Sequence, residues 1–166
     1  MQANRPKIDI PKTMSERIWD LIGYLVFLSS VIYLIYVWGD LPQEVPAHYN
    51  ALGEVDRYGS KWELVILPGV SLFILGLMNL FERFPEWHNY PKRLNDKNAE
   101  SFYLNSRKLV NQIKNISLII FAYLLFQSVG IAIGWLKELN SWGLSILIFL
   151  LLFAIIIQFI KNRKIK

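Results

Sequence analysis

Cysteine is absent from all 166 residues, so disulfides, thiolate metal sites, a cysteine nucleophile, S-acylation and a cysteine-linked lipid anchor are excluded within them. No internal repeat and no low-complexity tract is visible, and the connecting segments are too short to hold a second folded unit, which leaves one domain over residues 1–166 as the expectation. Formal charge is missing from four stretches, 18–38, 64–81, 116–136 and 142–160, with Asp20 as the one exception. A metal site of the zinc kind is not signalled either, because the paired His or Cys spacing it needs does not occur.

What is present is apolar mass. Hydrophobic residues make up 54% of the chain and aromatic residues 14%, more than a water-soluble fold of this length hides. The four uncharged stretches each approach the roughly 20 residues that carry a helix across about 30 Å of hydrocarbon. Trp19, Trp38, Trp62, Trp135 and Trp142 recur near their ends, where an amphipathic ring sits at headgroup level. An all-α membrane protein, a four-transmembrane-helix bundle, is therefore expected. The first stretch is too long for the apolar region of a signal peptide, and no small-residue cleavage site comes after it before Asp40.

Lys and Arg set the orientation. The segments 1–17, 82–115 and 161–166 hold four, seven and four of them, whereas 39–63 holds Arg57 and Lys61, and the turn after the third stretch holds Lys137 alone. The positive-inside rule reads this as both termini in the cytoplasm, with 39–63 outside. The net charge of +5 is thus placed beside membrane spans, and no nucleic-acid partner is expected. Within the cytoplasmic segment 82–115, Asn95 is a candidate N-cap. Ala99, Phe102, Leu109, Val110 and Ile113 form an apolar pattern there, with Arg107, Lys108, Asn111 and Lys114 on other faces, as in an amphipathic cytoplasmic helix lying on the bilayer.

Small and polar residues mark the faces where membrane helices meet. Asp20, Gly23, Phe27 and Ser30 form such a stripe in the first stretch, Gly69, Gly76 and Asn79 in the second, and Tyr123, Gln127, Gly130 and Gly134 in the third. The fourth has little beyond Gly143, Ser145 and Gln158, which places it at the lipid-facing periphery.

The outer segment 39–63 should be a compact, ordered loop, because Pro42 and Pro46 favour extended geometry while 50–53 and 58–60 carry turn chemistry. His48, Asn50, Asp56 and Lys61 are its candidate ligand-binding residues; Pro42, Pro46, Gly53, Gly59 and Pro68 form its structural framework. Three uses of the polar set compete. The residues tie the loop down over the bundle mouth, or bind an extracellular peptide or lipid, or hold an ion through His48 and Asp56 with Asn50 and Glu54. Hydrolysis by His48 and Asp56 would need Ser60 as nucleophile. No catalytic residue and no cofactor is assigned. His88 is expected to be a solvated loop residue.

The string Leu41-Pro42, Val45-Pro46, His48, Asn50, Gly53, Asp56, Tyr58-Gly59-Ser60-Lys61 and Pro68 resembles the signature of the membrane family called domain of unknown function 1648. That domain is the N-terminal membrane part of SdpI-type bacterial immunity proteins. Asn89-Tyr90-Pro91-Lys92 and the run through Asn98, Ala99, Tyr103 and Arg107 are similar to the segment after the second span in that family, so the resemblance covers roughly residues 20–115. It implies a multi-pass protein of the bacterial plasma membrane that resists or senses a secreted toxin peptide. The expected partners are the lipid bilayer, an extracellular peptide or lipid ligand, and a second copy or another membrane protein. The alternative is a membrane-embedded enzyme or transporter with an ion site at the outer loop.

Overall fold

The computed structural model describes residues 5–166. The chain is mostly helical, and among the described residues four helical segments are long and apolar enough to cross a membrane. They comprise α1 (Met14–Val37), α2 (Ile66–Arg83), which continues a short 3₁₀ turn over Lys61–Val65, α3 (Ala99–Ala132) and α4 (Ser141–Lys164). Helix α3 is the spine: α1, α2 and α4 each pack along it, and α1 touches α2 more lightly. Little of α4 is buried, as its poverty in polar residues predicts.

The all-α expectation needs one amendment. Residues 44–60 are not a loop but an antiparallel hairpin, β1 (Glu44–Tyr49) and β2 (Val55–Ser60). Asn50 closes its turn, its side-chain Oδ1 accepting from the N–H groups of Leu52 and Glu54 while its carbonyl accepts from Gly53. Gly53 takes φ +92°, a left-handed conformation that favours glycine. The hairpin is fastened to the bundle by Val45, fully buried among Leu34, Val37, Leu41, Leu64, Leu125 and Val129. Its turn is tied to the α3–α4 connection, where Leu139 N–H donates to the Gly53 carbonyl at 2.9 Å.

A second difference concerns residues 95–115. They do not form a separate helix; from Ala99 they run unbroken into the third span, giving a helix of 34 residues, about 51 Å at 1.5 Å per residue. The N-cap is Asn98, with Asn95 one turn earlier shaping the approach. The faces are exchanged in part as well: Ala99 and Phe102 are buried as the apolar pattern expects, but so are Arg107, Asn111 and Lys114, while Leu109, Val110 and Ile113 are only partly covered. A cytosolic amphipathic helix turns its apolar side inward, but a helix within or beside lipid turns its polar side to the protein.

Two of the small-residue stripes also serve other ends. Gly134 lies beyond the end of α3 at φ +80°, and Trp135 and Leu136 N–H groups return to the Gly130 carbonyl, so Gly130 and Gly134 end the helix and do not pack it on another. Gly69 and Gly76 face open space, away from the bundle. The α1 stripe behaves as expected, with Gly23 and Ser30 buried and a Cβ at Gly23 colliding with Asn115 of α3. Pro68 sits in the first turn of α2, where its missing N–H costs no helical bond.

Candidate functional site

The hairpin brings part of the sequence-nominated set together. In the strand register His48 faces Arg57 and Tyr49 faces Val55, which leaves Asp56 as an extra residue in β2. A bulge of this kind re-aims a side chain, and the Asp56 carboxylate meets His48 Nδ1 at 2.6 Å. Both remain exposed, at 65% and 43% of their side-chain surface. Asn50 is engaged in the turn, donating from Nδ2 to Glu54 at 2.7 Å. Lys61 lies at the opposite end of the ladder, donating to the Trp38 carbonyl at 3.3 Å and standing over the Trp38 ring. The four candidates therefore do not converge on one point.

This arrangement weighs against the ion and hydrolase readings. Among the described residues no three His, Asp or Glu side chains are gathered as a metal ion requires. Ser60 accepts from Trp62 N–H as the cap of the 3₁₀ turn and pairs with Glu44, far along the strand from His48. Gly59 has a plain structural reason: a Cβ there would collide with the Glu63 carboxylate, which forms a two-pronged pair with Arg57 at 3.0 and 3.3 Å. That carboxylate holds the Arg57 pKa above its ordinary value.

Under the hairpin lies a cleft of about 580 Å³, bounded by α2, α3 and α4. Its walls are apolar, with Leu64, Leu67, Leu124, Leu139, Leu144 and Ile148, whereas its rim carries His48, Asn50, Arg57 and Glu63. Tyr49 reaches down from β1 and donates to Ser128 of α3 at 2.8 Å, placing two polar groups against the cleft floor. Burial raises the Tyr49 pKa, so the phenol stays a donor at neutral pH. Apolar walls with a few convergent polar groups are the ordinary make-up of a ligand site. Asp56 and Lys61 do not line it. Arg57, Glu63, Tyr49 and Ser128 were missed from sequence; the alternation along 44–49 and 55–60 is too short and too broken to have revealed Tyr49 and Arg57, and Glu63 and Ser128 lie outside those strands.

The end of the bundle that holds the described termini has a second polar cluster, also unforeseen. Lys114 of α3, fully buried, is 2.8 Å from Asp20 of α1 and 2.6 Å from Glu82 of α2, and donates to Asn79 at 2.9 Å. Lys12, on the strap leading into α1, pairs with the other oxygens of both carboxylates at 2.6 and 2.8 Å. Burial acts to lower the Lys12 pKa, but the two carboxylates prevail and raise it to about 12. Nearer the start of α3, Arg107 pairs with buried Glu16 at 2.8 Å and holds the strap by the Ile10 and Pro11 carbonyls. Two cations and two anions balance in the Lys12–Lys114 cluster, so it binds helices together without presenting a net charge. His88, expected to be solvated, is instead half-buried, with Nδ1 on Ser106 at 2.6 Å and Nε2 on the Phe81 carbonyl at 3.0 Å. Burial lowers its pKa, and the neutral ring meets both partners, donating from Nε2 and accepting at Nδ1.

Comparison with known proteins places the signal on the hairpin. The family model described as Domain of unknown function (DUF1648) matches residues 25–72, from the middle of α1 through the hairpin into α2. An uncharacterized protein of Archaeoglobus fulgidus is 35% identical over 80 residues, a stretch that covers 47% of this chain and 42% of the relative. The chain thus aligns with less than half the length of that relative. No solved structure matches. The family expected from the Pro, His, Asn, Gly and Lys string is the one whose model matches, over residues 25–72 of this chain.

Proposed function

We propose that this is a receptor-like protein of a prokaryotic plasma membrane, with both termini in the cytoplasm, that binds a membrane-active peptide or lipid-like amphiphile in the cleft under the hairpin. The carrying observation is the cleft itself, apolar along three helices and polar at its hairpin rim. An amphiphile arriving from outside buries its apolar part against Leu67, Leu144 and Ile148 and leaves its polar part to His48, Arg57 and Glu63. The charge asymmetry of the connecting segments supports the orientation, and the resemblance to SdpI-type proteins supports a protective role against a secreted peptide. Binding at the cleft would sequester the peptide before it inserts.

The test is survival of a bacterium sensitive to a secreted, membrane-active peptide toxin when it expresses the full chain. Protection is expected, and Leu144→Trp, which fills the cleft, should abolish it at equal membrane abundance. Ile146→Trp, on the exposed side of α4, should keep it. Protection that survives Leu144→Trp, or no protection by the unaltered chain, overturns this reading.

A further inference from the structure

At the other end of α4 lies a smaller groove, between α4 and α3, of about 230 Å³. Lys108 of α3 and Lys161 of α4 both line it, with Ser101, Asn105 and Gln158. Among the described residues neither ammonium forms an ion pair, although other cations of this end, Lys12, Arg107 and Lys114, are paired. Gln158 is 2% exposed, and its Oε1 has no hydrogen-bond partner, so a buried polar atom goes unserved in the groove wall. Leaving such an atom empty is costly enough that a partner is to be sought.

The depth of the groove identifies the partner. From Trp142 to Lys161 α4 rises about 28 Å, close to one hydrocarbon thickness, so Lys161 stands where the phosphates of one leaflet lie. Leu104 and Ile165 add apolar surface beside the two ammoniums. We infer that this groove binds the phosphate of an anionic phospholipid, Lys108 and Lys161 clamping the phosphate oxygens from two helices. The Gln158 amide serves the lipid as well. Its Nε2 is 3.3 Å from Gln112 Oε1, and turning both amides over keeps that bond while presenting an N–H of Gln158 to a phosphate or ester oxygen. A headgroup here ties α4, the least buried of the four spans, to the spine, where Asn105 already donates to the Gln158 carbonyl at 3.1 Å. The ordinary interfacial role of basic residues, orientation by leaflet charge, needs no groove and no paired lysines; a clamp needs both.

The full chain, purified in detergent, would be titrated with phosphatidylglycerol and with phosphatidylcholine of matched acyl chains, and bound lipid counted by native mass spectrometry. Phosphatidylglycerol should be retained about tenfold over phosphatidylcholine, and Lys108→Gln with Lys161→Gln should cancel the preference. Arg163→Gln, which removes a cation of the same turn that lies outside the groove, should leave it intact. Equal retention of the two lipids overturns the inference, as does an Arg163→Gln loss equal to that of the double variant. Displacement of the lipid by inorganic phosphate at equal concentration would likewise overturn it, since the site would then be one for free phosphate.

Discussion

At the hairpin end the polar residues sit on exposed strands, pair in twos, and rim an open cleft; at the other end Lys114, Glu82, Glu16 and Arg107 are sealed between helices. The hairpin end is where the sequence signature is concentrated, yet much of that signature makes turns: Asn50 for the loop, Gly53 for its left-handed residue, Gly59 for the passage of Glu63. The terminal end carries the larger electrostatic stakes, but no motif announces it. Motif density and energetic weight thus lie at opposite ends of the same bundle, since a motif records where backbone geometry is demanding and burial records where charge is expensive.

The largest expected effect tests the sealed end. Lys114→Met leaves Asp20 and Glu82 to share Lys12 alone, and removing one partner of a buried charge network costs about 3–5 kcal/mol. Thermal unfolding of the full chain in detergent reads this as a large drop in Tm. Adding Glu82→Gln restores neutrality and should recover part of the loss, a coupling that independent sites do not show. A cost below about 1 kcal/mol would mean that water reaches the cluster, and the contrast between the two ends would fail.

A middle-sized effect tests whether the hairpin signature is mainly backbone. Gly53→Ala forces a side chain into a left-handed conformation and against the Leu139 carbonyl, at an expected cost of about 1–3 kcal/mol. Protease sensitivity at the turn should rise with it, since the Leu139 bond to Gly53 is the tether. Gly76→Ala is the matched control: it meets open space within α2 and should not destabilise the chain, alanine being the better helix former by about 0.5–1 kcal/mol. Equal behaviour of the two glycines would remove the structural account of the motif.

Legibility in the sequence divides along the same line. Span number, the outlying position of α4 and the family were legible, because hydrocarbon length and an ordered string of turn residues leave local traces. The hairpin was legible only as order, since two bulges break the period-2 signal that would have marked its strands. The charge cluster was not legible because its partners come from four separate segments, and Arg107, Asn111 and Lys114 read as polar faces turned away from the apolar side when 95–115 is taken as a surface helix. Had the same residues been read as a continuation of the third span, their spacing of four and three would have pointed inward. The cleft depends on how α2 and α4 diverge around α3, which no local pattern encodes.

The smallest expected effect separates binding from folding at the hairpin. His48 and Asp56 are exposed enough that their 2.6 Å pair should contribute under about 1 kcal/mol, so His48→Ala ought to leave thermal stability nearly unchanged. Asn50→Ala withdraws the acceptor of two turn N–H groups and should cost more, about 1–2 kcal/mol. Both residues line the cleft rim, and both should weaken protection against the peptide toxin. If His48 is there for the ligand, its variant loses protection without losing stability, a split that Asn50→Ala cannot produce. A His48→Ala chain that melts earlier than Asn50→Ala would instead make the pair a rivet of the hairpin, and the rim would be reduced to Arg57 and Glu63.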